Sequence, residues 1–210
     1  MGYQSESVWK YVSDAASDNP TPGGGSVSAL AGALAASMSE MAANFTVGKD
    51  KYKDVEEEVS RALSELKRIR QKLLALMEAD IEAYSDVDEA MKMPRETEEQ
   101  EQERGEKLEE ALQQAAKVPL NIMRQCRKAA ALTEQLSRIA NPNLVTDVGV
   151  AAEVCGAASK AAKLNVEVNL KYMDDDEVRE RLESEMNLLD EETEESCRHA
   201  AEEVRERFEK

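Results

Sequence analysis

The chain carries the stretch Asn19-Pro20-Thr21-Pro22-Gly23-Gly24-Gly25-Ser26, and a run of small apolar residues, Val27-Ser28-Ala29-Leu30-Ala31-Gly32-Ala33-Leu34-Ala35-Ala36, follows it directly. The prolines fix an extended entry, and the glycines allow close approaches that a side chain would prevent. The small residues predict a buried helix with closely packed neighbours. The loop leaves the first N–H groups of that helix unpaired, where a carboxylate or phosphate can bind. The alternative is a tight turn with Ser26 as the N-cap.

The composition is typical of a helical bundle. Charged residues make up 34% of the 210 residues and aromatic residues 4%, while Ala, Leu, Glu and Lys dominate. This length suits one domain with a full hydrophobic core. We therefore expect one all-α domain over residues 1–210, a single-domain bundle of about six or seven helices. Its core should cover about 5–175, and an acidic C-terminal helix about 174–208.

The strong negative charge excludes one class of partner. The formal net charge is -17 at pH 7, and no basic stripe is present for a nucleic-acid backbone. The small-residue segment has few charges, but its glycines and serines and the lack of flanking aromatic anchors favour a buried helix over a membrane span. Cys126, Cys155 and Cys197 are far apart in the sequence, which indicates reduced thiols and a cytoplasmic location. No signal peptide is evident, so we expect none.

Apolar residues recur at three- and four-residue steps and predict helix after helix. We expect helices over about 5–17, 24–47, 55–94 and 97–139, and two more after the break at 141–143. Pro119 is expected to kink or restart the helix that contains it. Thr146 or Asp147 is the expected N-cap of the next helix. Trp9 is expected to pack in the N-terminal helix.

One carboxylate interrupts an apolar stripe. Asp80 lies four residues after Leu76 and four before Tyr84, where a helix used only for packing would place Leu or Ala. A carboxylate on a buried face must be hydrogen-bonded, charge-paired or neutralised, and each arrangement perturbs its pKa. Asp80 is therefore a candidate functional residue. The alternative is a structural Asp that caps another helix.

Metal and cofactor chemistry lack their usual sequence patterns. The chain has a single histidine, His199, and its cysteines lack metal-ligand spacing. The triple glycine precedes Ser-Val-Ser, so it matches no dinucleotide or ATP fingerprint. We expect no metal and no cofactor.

The order of the motifs resembles the cyclodeaminase domain of the formiminotransferase-cyclodeaminase family and its stand-alone relatives, which include methenyltetrahydrofolate cyclohydrolases. The resemblance covers about residues 5–175. Its motifs lie at 20–34, at 43–49, at Asp80 with Tyr84, Ala90 and Pro94, at 116–120, and at 141–147 leading to 165–169. Two departures are Thr146, where the family usually has Ser, and Val148, where it usually has Ala.

The resemblance implies an all-helical, dimer-forming enzyme of tetrahydrofolate one-carbon metabolism. In the cyclodeaminase reaction, N10 attacks the N5-formimino carbon and ammonia leaves, which gives 5,10-methenyltetrahydrofolate. In the cyclohydrolase reaction, water adds to the methenyl carbon and the ring opens to the 10-formyl product. We place the cyclodeaminase first and keep the cyclohydrolase as the alternative. A non-catalytic folate-binding or assembly module is the alternative from another class.

Both reactions need one carboxyl group that takes a proton and returns it. The resemblance suggests Asp80 for this role, with Asp147 as a second candidate that stabilises positive charge or caps a helix. The expected folate-binding residues are Pro22, Gly23, Gly24, Gly25, Ser26, Asn44, Lys49, Lys51, Asn141, Asn143 and Asn165.

Two of these assignments carry geometric conditions. Lys49 and Lys51 would offset the acidic charge that repels the glutamate tail of folate, or they form an exposed polar turn. Asp147 and Asn165 lie eighteen residues apart, roughly 27 Å along one helix, and cannot both touch the bridging carbon. Asn165 could instead contact the far end of a long ligand or serve the site of a partner subunit.

Overall fold

A computed structural model describes residues 2–209, and every regular element within them is helical. The six α-helices are α1 (Val8–Ala15), α2 (Gly24–Asn44), α3 (Glu56–Lys92), α4 (Glu98–Ile139), α5 (Val145–Lys171) and α6 (Asp176–Phe208). Short 3-10 turns cover Tyr3–Ser5, Asp50–Val55 and Pro142–Leu144. The prediction of an all-α bundle with six or seven helices is confirmed.

The alanine-rich helix α2 lies among α3, α4 and α5. Ala29, Ala36 and Ala43 on this helix are fully buried. A Cβ atom added to Gly32 would lie 3.1 Å from Sγ of Cys126 on α4. Small side chains therefore let three helices pack closely around one, as the sequence predicted.

Helices α2 and α5 pack side by side in opposite directions. At one end, a Cβ atom added to Gly24 would lie 3.3 Å from Nδ2 of Asn165. At the other end, the backbone N–H of Asn141 donates to the hydroxyl of Thr46 at 2.9 Å. About 20 residues of helix, roughly 30 Å, separate these contacts. We call residues 23–26 and 165–169 the glycine end, and residues 44–51 and 141–147 the asparagine end.

The outer surfaces of α2 and α5 form a broad apolar face. Its side chains recur at heptad-like steps of three and four residues, and several are open to solvent. Leu34 is 56% exposed and Leu164 is 66% exposed. We call this surface the α2/α5 face; it consists of Val27, Ala31, Leu34, Met38, Met41 and Phe45 on α2, and Val150, Val154, Ala157, Ala161, Leu164, Val168 and Tyr172 on α5.

The acidic helix α6 packs on α4 and α5. Its buried side chains include Leu182, Met186 and Leu189. Acidic residues of α6 also pair with cations of its neighbours: Arg124 donates two hydrogen bonds to Glu185, at 2.6 and 2.7 Å. The C-terminal charge therefore takes part in helix packing.

One predicted helix break is absent, and one predicted N-cap is wrong. Helix α4 continues through Pro119 without restarting, and this proline is buried with its neighbours. Tertiary packing of a long helix therefore offsets the backbone hydrogen bond that proline removes. Helix α5 begins at Val145 with Leu144 as N-cap, so Thr146 and Asp147 lie inside it. The 3-10 turn before α5 leads directly into the helix, and Asn141 caps that turn.

Two predictions near the N-terminus are also wrong. Helix α2 begins at Gly24 with Gly23 as N-cap, so Ser26 is not the N-cap. Trp9 does not pack in the core, because it is 78% exposed. Tyr11 is the buried aromatic residue of α1.

Candidate functional site

The carboxylate of Asp80 faces the start of α2. Its Oδ2 accepts a hydrogen bond from the backbone N–H of Ser26 at 2.8 Å. That N–H belongs to the first turn of α2, where no carbonyl of the same helix can pair with it. The carboxylate also lies at the positive end of the helix dipole. Asp80 therefore does cap another helix, and its further role depends on what else surrounds it.

Glycines make room for this contact. A Cβ atom added to Gly25 would lie only 1.9 Å from Oδ1 of Asp80. Any side chain at position 25 would therefore displace the carboxylate. Pro22 follows a cis peptide bond and is buried beneath the loop.

The side chain of Ser26 is used inside the protein. Its Oγ lies 3.0 Å from the hydroxyl of Tyr11, and both residues are buried. Tyr11 in turn packs edge-on against Tyr3, with the ring centres 5.1 Å apart. Ser26 therefore offers the site its backbone N–H, while its hydroxyl connects α1 to the start of α2.

Burial raises the pKa of the Asp80 carboxyl above its usual 3.8, and the hydrogen bond from Ser26 opposes this effect. A raised pKa brings a carboxyl group closer to neutral pH. Such a group can both accept a proton and return it during a reaction.

Asp80 lines a groove of about 370 Å³ between α3, α4, α5 and the glycine loop. This volume is typical of small-molecule sites. Tyr84 and Tyr172 lie at its exposed parts, and Asp80 is the one charged side chain among the lining residues. The apolar wall consists of Ala83, Val87, Met91, Leu112, Ala115 and Val168.

Two amides of α5 contribute polar groups to the groove. Nδ2 of Asn165 donates to the carbonyl of Ala161 at 2.9 Å, and Nδ2 of Asn169 donates to the carbonyl of Asn165 at 2.7 Å. These bonds orient both side chains within α5. The oxygen of each amide then remains to accept a hydrogen bond from a ligand.

The groove includes residues that sequence reasoning missed as site residues. Asn169 lies four positions after Asn165, so the shared helix face was a usable signal. Tyr84 stands in the same stripe as Asp80, again four positions away. No sequence pattern pointed to Tyr172, because its position in the groove depends on how α5 lies across the groove from α3.

Six predicted site residues lie at the asparagine end instead. Lys49 and Lys51 follow the end of α2, whereas residues 23–26 begin it. Within one chain these lysines therefore lie far from the glycine end, because a helix of this length keeps its ends roughly 30 Å apart. The six residues are Asn44, Lys49, Lys51, Asn141, Asn143 and Asp147.

The asparagine end has its own local structure. Nδ2 of Asn141 donates to the carbonyl of Phe45 at 3.2 Å, and its Oδ1 accepts from the N–H of Asn143 at 3.1 Å. Nζ of Lys49 lies 5.3 Å from the ring centre of Phe45. Asp147 is on α5, eighteen residues before Asn165. Of these two residues, one chain therefore brings only Asn165 to the Asp80 groove.

Two further properties concern the described part of the chain. Within residues 2–209, no group of three or more His, Cys, Asp or Glu side chains is placed to hold a metal ion. None of the helices described in that range combines the length and the apolar character needed to cross a membrane.

Comparison with known proteins relates the chain to folate enzymes. Residues 7–188 match the sequence model of a family described as formiminotransferase-cyclodeaminase. The methenyltetrahydrofolate cyclohydrolase of Methylorubrum extorquens is 37% identical over 170 residues, which cover 81% of this chain and 82% of that protein. The formimidoyltransferase-cyclodeaminase of Mus musculus is 29% identical over 179 residues, which cover 85% of this chain but 33% of the mouse protein.

A solved structure agrees with this relationship. The crystal structure of formiminotetrahydrofolate cyclodeaminase from Thermotoga maritima matches with a TM-score of 0.90 and 32% sequence identity. The match covers 98% of this chain and 98% of that one. The similarity therefore extends over the whole bundle.

Proposed function

The chain belongs to the formiminotransferase-cyclodeaminase family, and from this premise we propose that it is an enzyme of tetrahydrofolate one-carbon metabolism. The activity proposed first is formiminotetrahydrofolate cyclodeaminase, with Asp80 as the acid–base group. One observation carries this assignment: a partly buried carboxylate, held by the N–H of Ser26, lies on the wall of an otherwise uncharged groove.

In the cyclodeaminase reaction, Asp80 moves one proton from N10 to the leaving nitrogen. N10 attacks the carbon of the protonated formimino group, and the Asp80 carboxylate takes the proton that N10 loses. The carboxyl group then gives this proton to the amino group of the tetrahedral intermediate. The bond from carbon to that nitrogen breaks, ammonia leaves, and the N5–C–N10 bridge remains as the methenyl cation.

The surroundings of Asp80 suit this transfer. The hydrogen bond from Ser26 holds Oδ2, so Oδ1, which lies over Gly25, is left to take and return the proton. The raised pKa reduces the cost of protonating the carboxylate near neutral pH. Once ionised again, the carboxylate stabilises the cationic bridge beside it.

The remainder of the groove offers contacts for a reduced pterin. The amide oxygens of Asn165 and Asn169 can accept hydrogen bonds from its ring N–H groups. The rings of Tyr84 and Tyr172 can cover the flat parts of the ligand. The glycines of the loop carry no side chains, which leaves room for the pterin ring to reach Asp80.

The second candidate activity is methenyltetrahydrofolate cyclohydrolase. The specific observation in its favour is the 37% identity to the Methylorubrum extorquens enzyme, which this chain matches over most of its length. In this reaction Asp80 takes a proton from the attacking water and gives it to N5 as the ring opens. The hydroxyl of the intermediate loses its proton to solvent, and the 10-formyl product forms.

We also propose that the protein acts as a cytoplasmic homodimer without a metal or cofactor. Its three cysteines are free and buried, in agreement with a reducing compartment. The α2/α5 face is about 30 Å long and two helices, roughly 20 Å, wide. Pairing two such faces buries about 1,200 Å², which reaches the size of a stable interface. The heptad-like spacing on both helices suits a four-helix contact.

One purified sample tests which reaction occurs. The protein is given 5-formiminotetrahydrofolate while ammonia and methenyl absorbance are followed, and separately 5,10-methenyltetrahydrofolate while loss of that absorbance is followed. Ammonia release with methenyl formation supports the cyclodeaminase, and consumption of the methenyl compound well above the uncatalysed rate supports the cyclohydrolase. Binding of reduced folate without either turnover would contradict the enzyme assignment and support a binding module.

A further inference from the structure

We propose that the Asp80 groove ends in a carboxylate subsite, where Lys171 and Arg104 bind the glutamate of a monoglutamate folate. This inference deepens the proposed function and rests on its folate substrate. In the proposed orientation, the reacting carbon lies at Asp80 and the tail of the substrate lies at the opposite end of the groove.

Helices α3 and α5 give the groove two distinct ends. Asp80 on α3 and Asn165 on α5 both lie at the start of α2, and both helices continue beyond it. Met91 lies eleven residues after Asp80, roughly 16 Å along α3, and also lines the groove. Tyr172 lies seven residues after Asn165, roughly 10 Å along the chain of α5, and lines the groove as well. We call Met91 and Tyr172 the outer end of the groove.

Two cations are held against the residues of the outer end. Nζ of Lys171 lies 5.3 Å from the centre of the Tyr172 ring. On α4, Nε of Arg104 donates to the backbone carbonyl of Met91 at 3.3 Å. This bond uses only the Nε–H group, so the terminal guanidinium nitrogens remain for a ligand. Each cation is therefore fixed by a residue that lines the groove.

These two cations are not used in ion pairs. Lys171 and Arg104 pair with no carboxylate of the described residues 2–209, whereas Lys107, on the same helix as Arg104, pairs with Glu110 at 3.4 Å. Lys171 is exposed, and Arg104 is partly buried at the surface. The two carboxylates of a glutamate can therefore bind here without breaking an existing ion pair.

The two ends of the groove carry opposite charges, as the two ends of the substrate do. Asp80 supplies negative charge at one end, which suits the cationic N5–C–N10 bridge. At the other end, the carboxylates of the glutamate need cations. The wall between the ends is apolar and includes Val87 and Leu112, which suits the benzoyl ring that joins the bridge to the glutamate. One orientation of the substrate therefore satisfies all three parts of the groove.

Acidic residues beyond the outer end favour a tail of one glutamate. Residues 174–177 read Asp-Asp-Asp-Glu, follow soon after Tyr172 and are exposed. Each further glutamate of a polyglutamate tail would add negative charge beside these side chains. The net charge of -17 on the whole chain adds to this repulsion. The monoglutamate is therefore the form of the substrate that fits this end.

A ligand without the glutamate tests the subsite most sharply. Calorimetry measures the Kd of 5-formyltetrahydrofolate, a reduced folate, and of 5-formyltetrahydropteroate, which lacks the glutamate. Lys171→Glu and Arg104→Glu should each raise the Kd of the folate about fivefold or more. Neither change should alter the Kd of the pteroate by more than about twofold, because that ligand has no glutamate carboxylates to lose contact with the cations.

Two further variants serve as controls. Lys67→Glu is the charge-matched control, because Lys67 is exposed on α3 and lies roughly 20 Å before Asp80, away from the outer end. It should leave both Kd values unchanged. Lys171→Arg keeps the cation and should retain the folate Kd within about twofold. An equal loss of affinity for folate and pteroate, or no loss for either ligand, would overturn the subsite.

Turnover separates this inference from the proposed function. With the folate that the wild type converts, Lys171→Glu should raise KM about fivefold and leave kcat within about twofold, since Lys171 lies far from the reacting carbon. The triglutamate form of that folate should show a KM no lower than the monoglutamate; a KM about tenfold lower would overturn the proposal. Wild-type protein that is inactive on both folates, yet shows the glutamate-dependent change in Kd, would overturn the proposed enzyme activity alone.

Discussion

Oδ2 of Asp80 on α3 accepts a hydrogen bond from the backbone N–H of Ser26 on α2, at 2.8 Å and across 54 residues of sequence. This contact caps the central helix and orients the proposed acid–base group at the same time. It depends on glycine at position 25, since a Cβ atom there would overlap the carboxylate. The folding of the helix start and the placement of the reacting group are therefore linked.

Gly25→Ala should remove activity while the protein remains folded. The added methyl group would meet the Asp80 carboxylate and push it away from the N–H of Ser26. We expect kcat to fall at least about 100-fold, because a displaced acid–base group no longer reaches the reacting atoms. Gly105→Ala is the control: a Cβ atom at this helical position meets nothing within 4 Å, so activity should stay and stability should rise by about 0.5 to 1 kcal/mol. A fully active Gly25→Ala variant would contradict this account.

Asp80→Asn should stabilise the fold as pH rises. Burial raises the folded-state pKa of Asp80 above the unfolded value of 3.8, so the folded state holds its proton more tightly. Wild-type stability therefore falls between pH 3.8 and the raised pKa, where only the unfolded state has lost the proton. Asparagine avoids this loss and can still accept the hydrogen bond from Ser26. Urea unfolding at pH 4 and pH 8 should show a growing advantage for the variant; a less stable variant at pH 8 would show that the ionised cap is net stabilising.

The ion pair between Glu40 on α2 and Arg70 on α3 should contribute more to the free energy of unfolding than exposed ion pairs do. Nε of Arg70 donates to Glu40 at 2.6 Å, and Glu40 is buried on the central helix. Arg70→Met would leave this carboxylate unpaired and should lower the free energy of unfolding by about 3 kcal/mol. Adding Glu40→Gln to the Arg70→Met variant should restore most of the lost free energy of unfolding. Arg68→Met is the control, because the Arg68 pair is exposed and should contribute less than about 0.5 kcal/mol. Denaturant unfolding measures all three, and equal losses would refute the expectation.

A charge on the α2/α5 face should separate the subunits. Leu34→Asp would place a carboxylate in the middle of the proposed four-helix contact, where it cannot be paired. We expect a folded monomer, measured by light scattering. Leu188→Asp is the matched control, since Leu188 on α6 is 55% exposed but lies outside the face. Dimers that persist in Leu34→Asp would exclude this face as the interface.

The sequence predicted those features that local patterns encode. The small residues after the triple glycine identified α2, and the interrupted apolar stripe identified Asp80. Helix α4 does not restart at Pro119, because packing across several helices outweighs one lost backbone hydrogen bond. Tyr172 was missed because only the contacts of α5 with distant segments bring it to the groove.

The separation of the lysines from the glycine end follows from the sequence itself. At the helical rise per residue, Gly24 at the start of α2 lies far from Lys49 just after its end, as Asp147 lies far from Asn165 along α5. Within one chain, a residue after the end of a long helix cannot reach its start.

The central claim is that Asp80 transfers the proton at the N5–N10 bridge, and the turnover of Asp80→Asn tests it most directly. Ammonia release from 5-formiminotetrahydrofolate and methenyl consumption are measured for wild type and variant, with circular dichroism to verify the fold. We expect the rate of whichever reaction the wild type catalyses to fall by about 10² to 10⁴. A folded Asp80→Asn protein that turns over at the wild-type rate would contradict the claim.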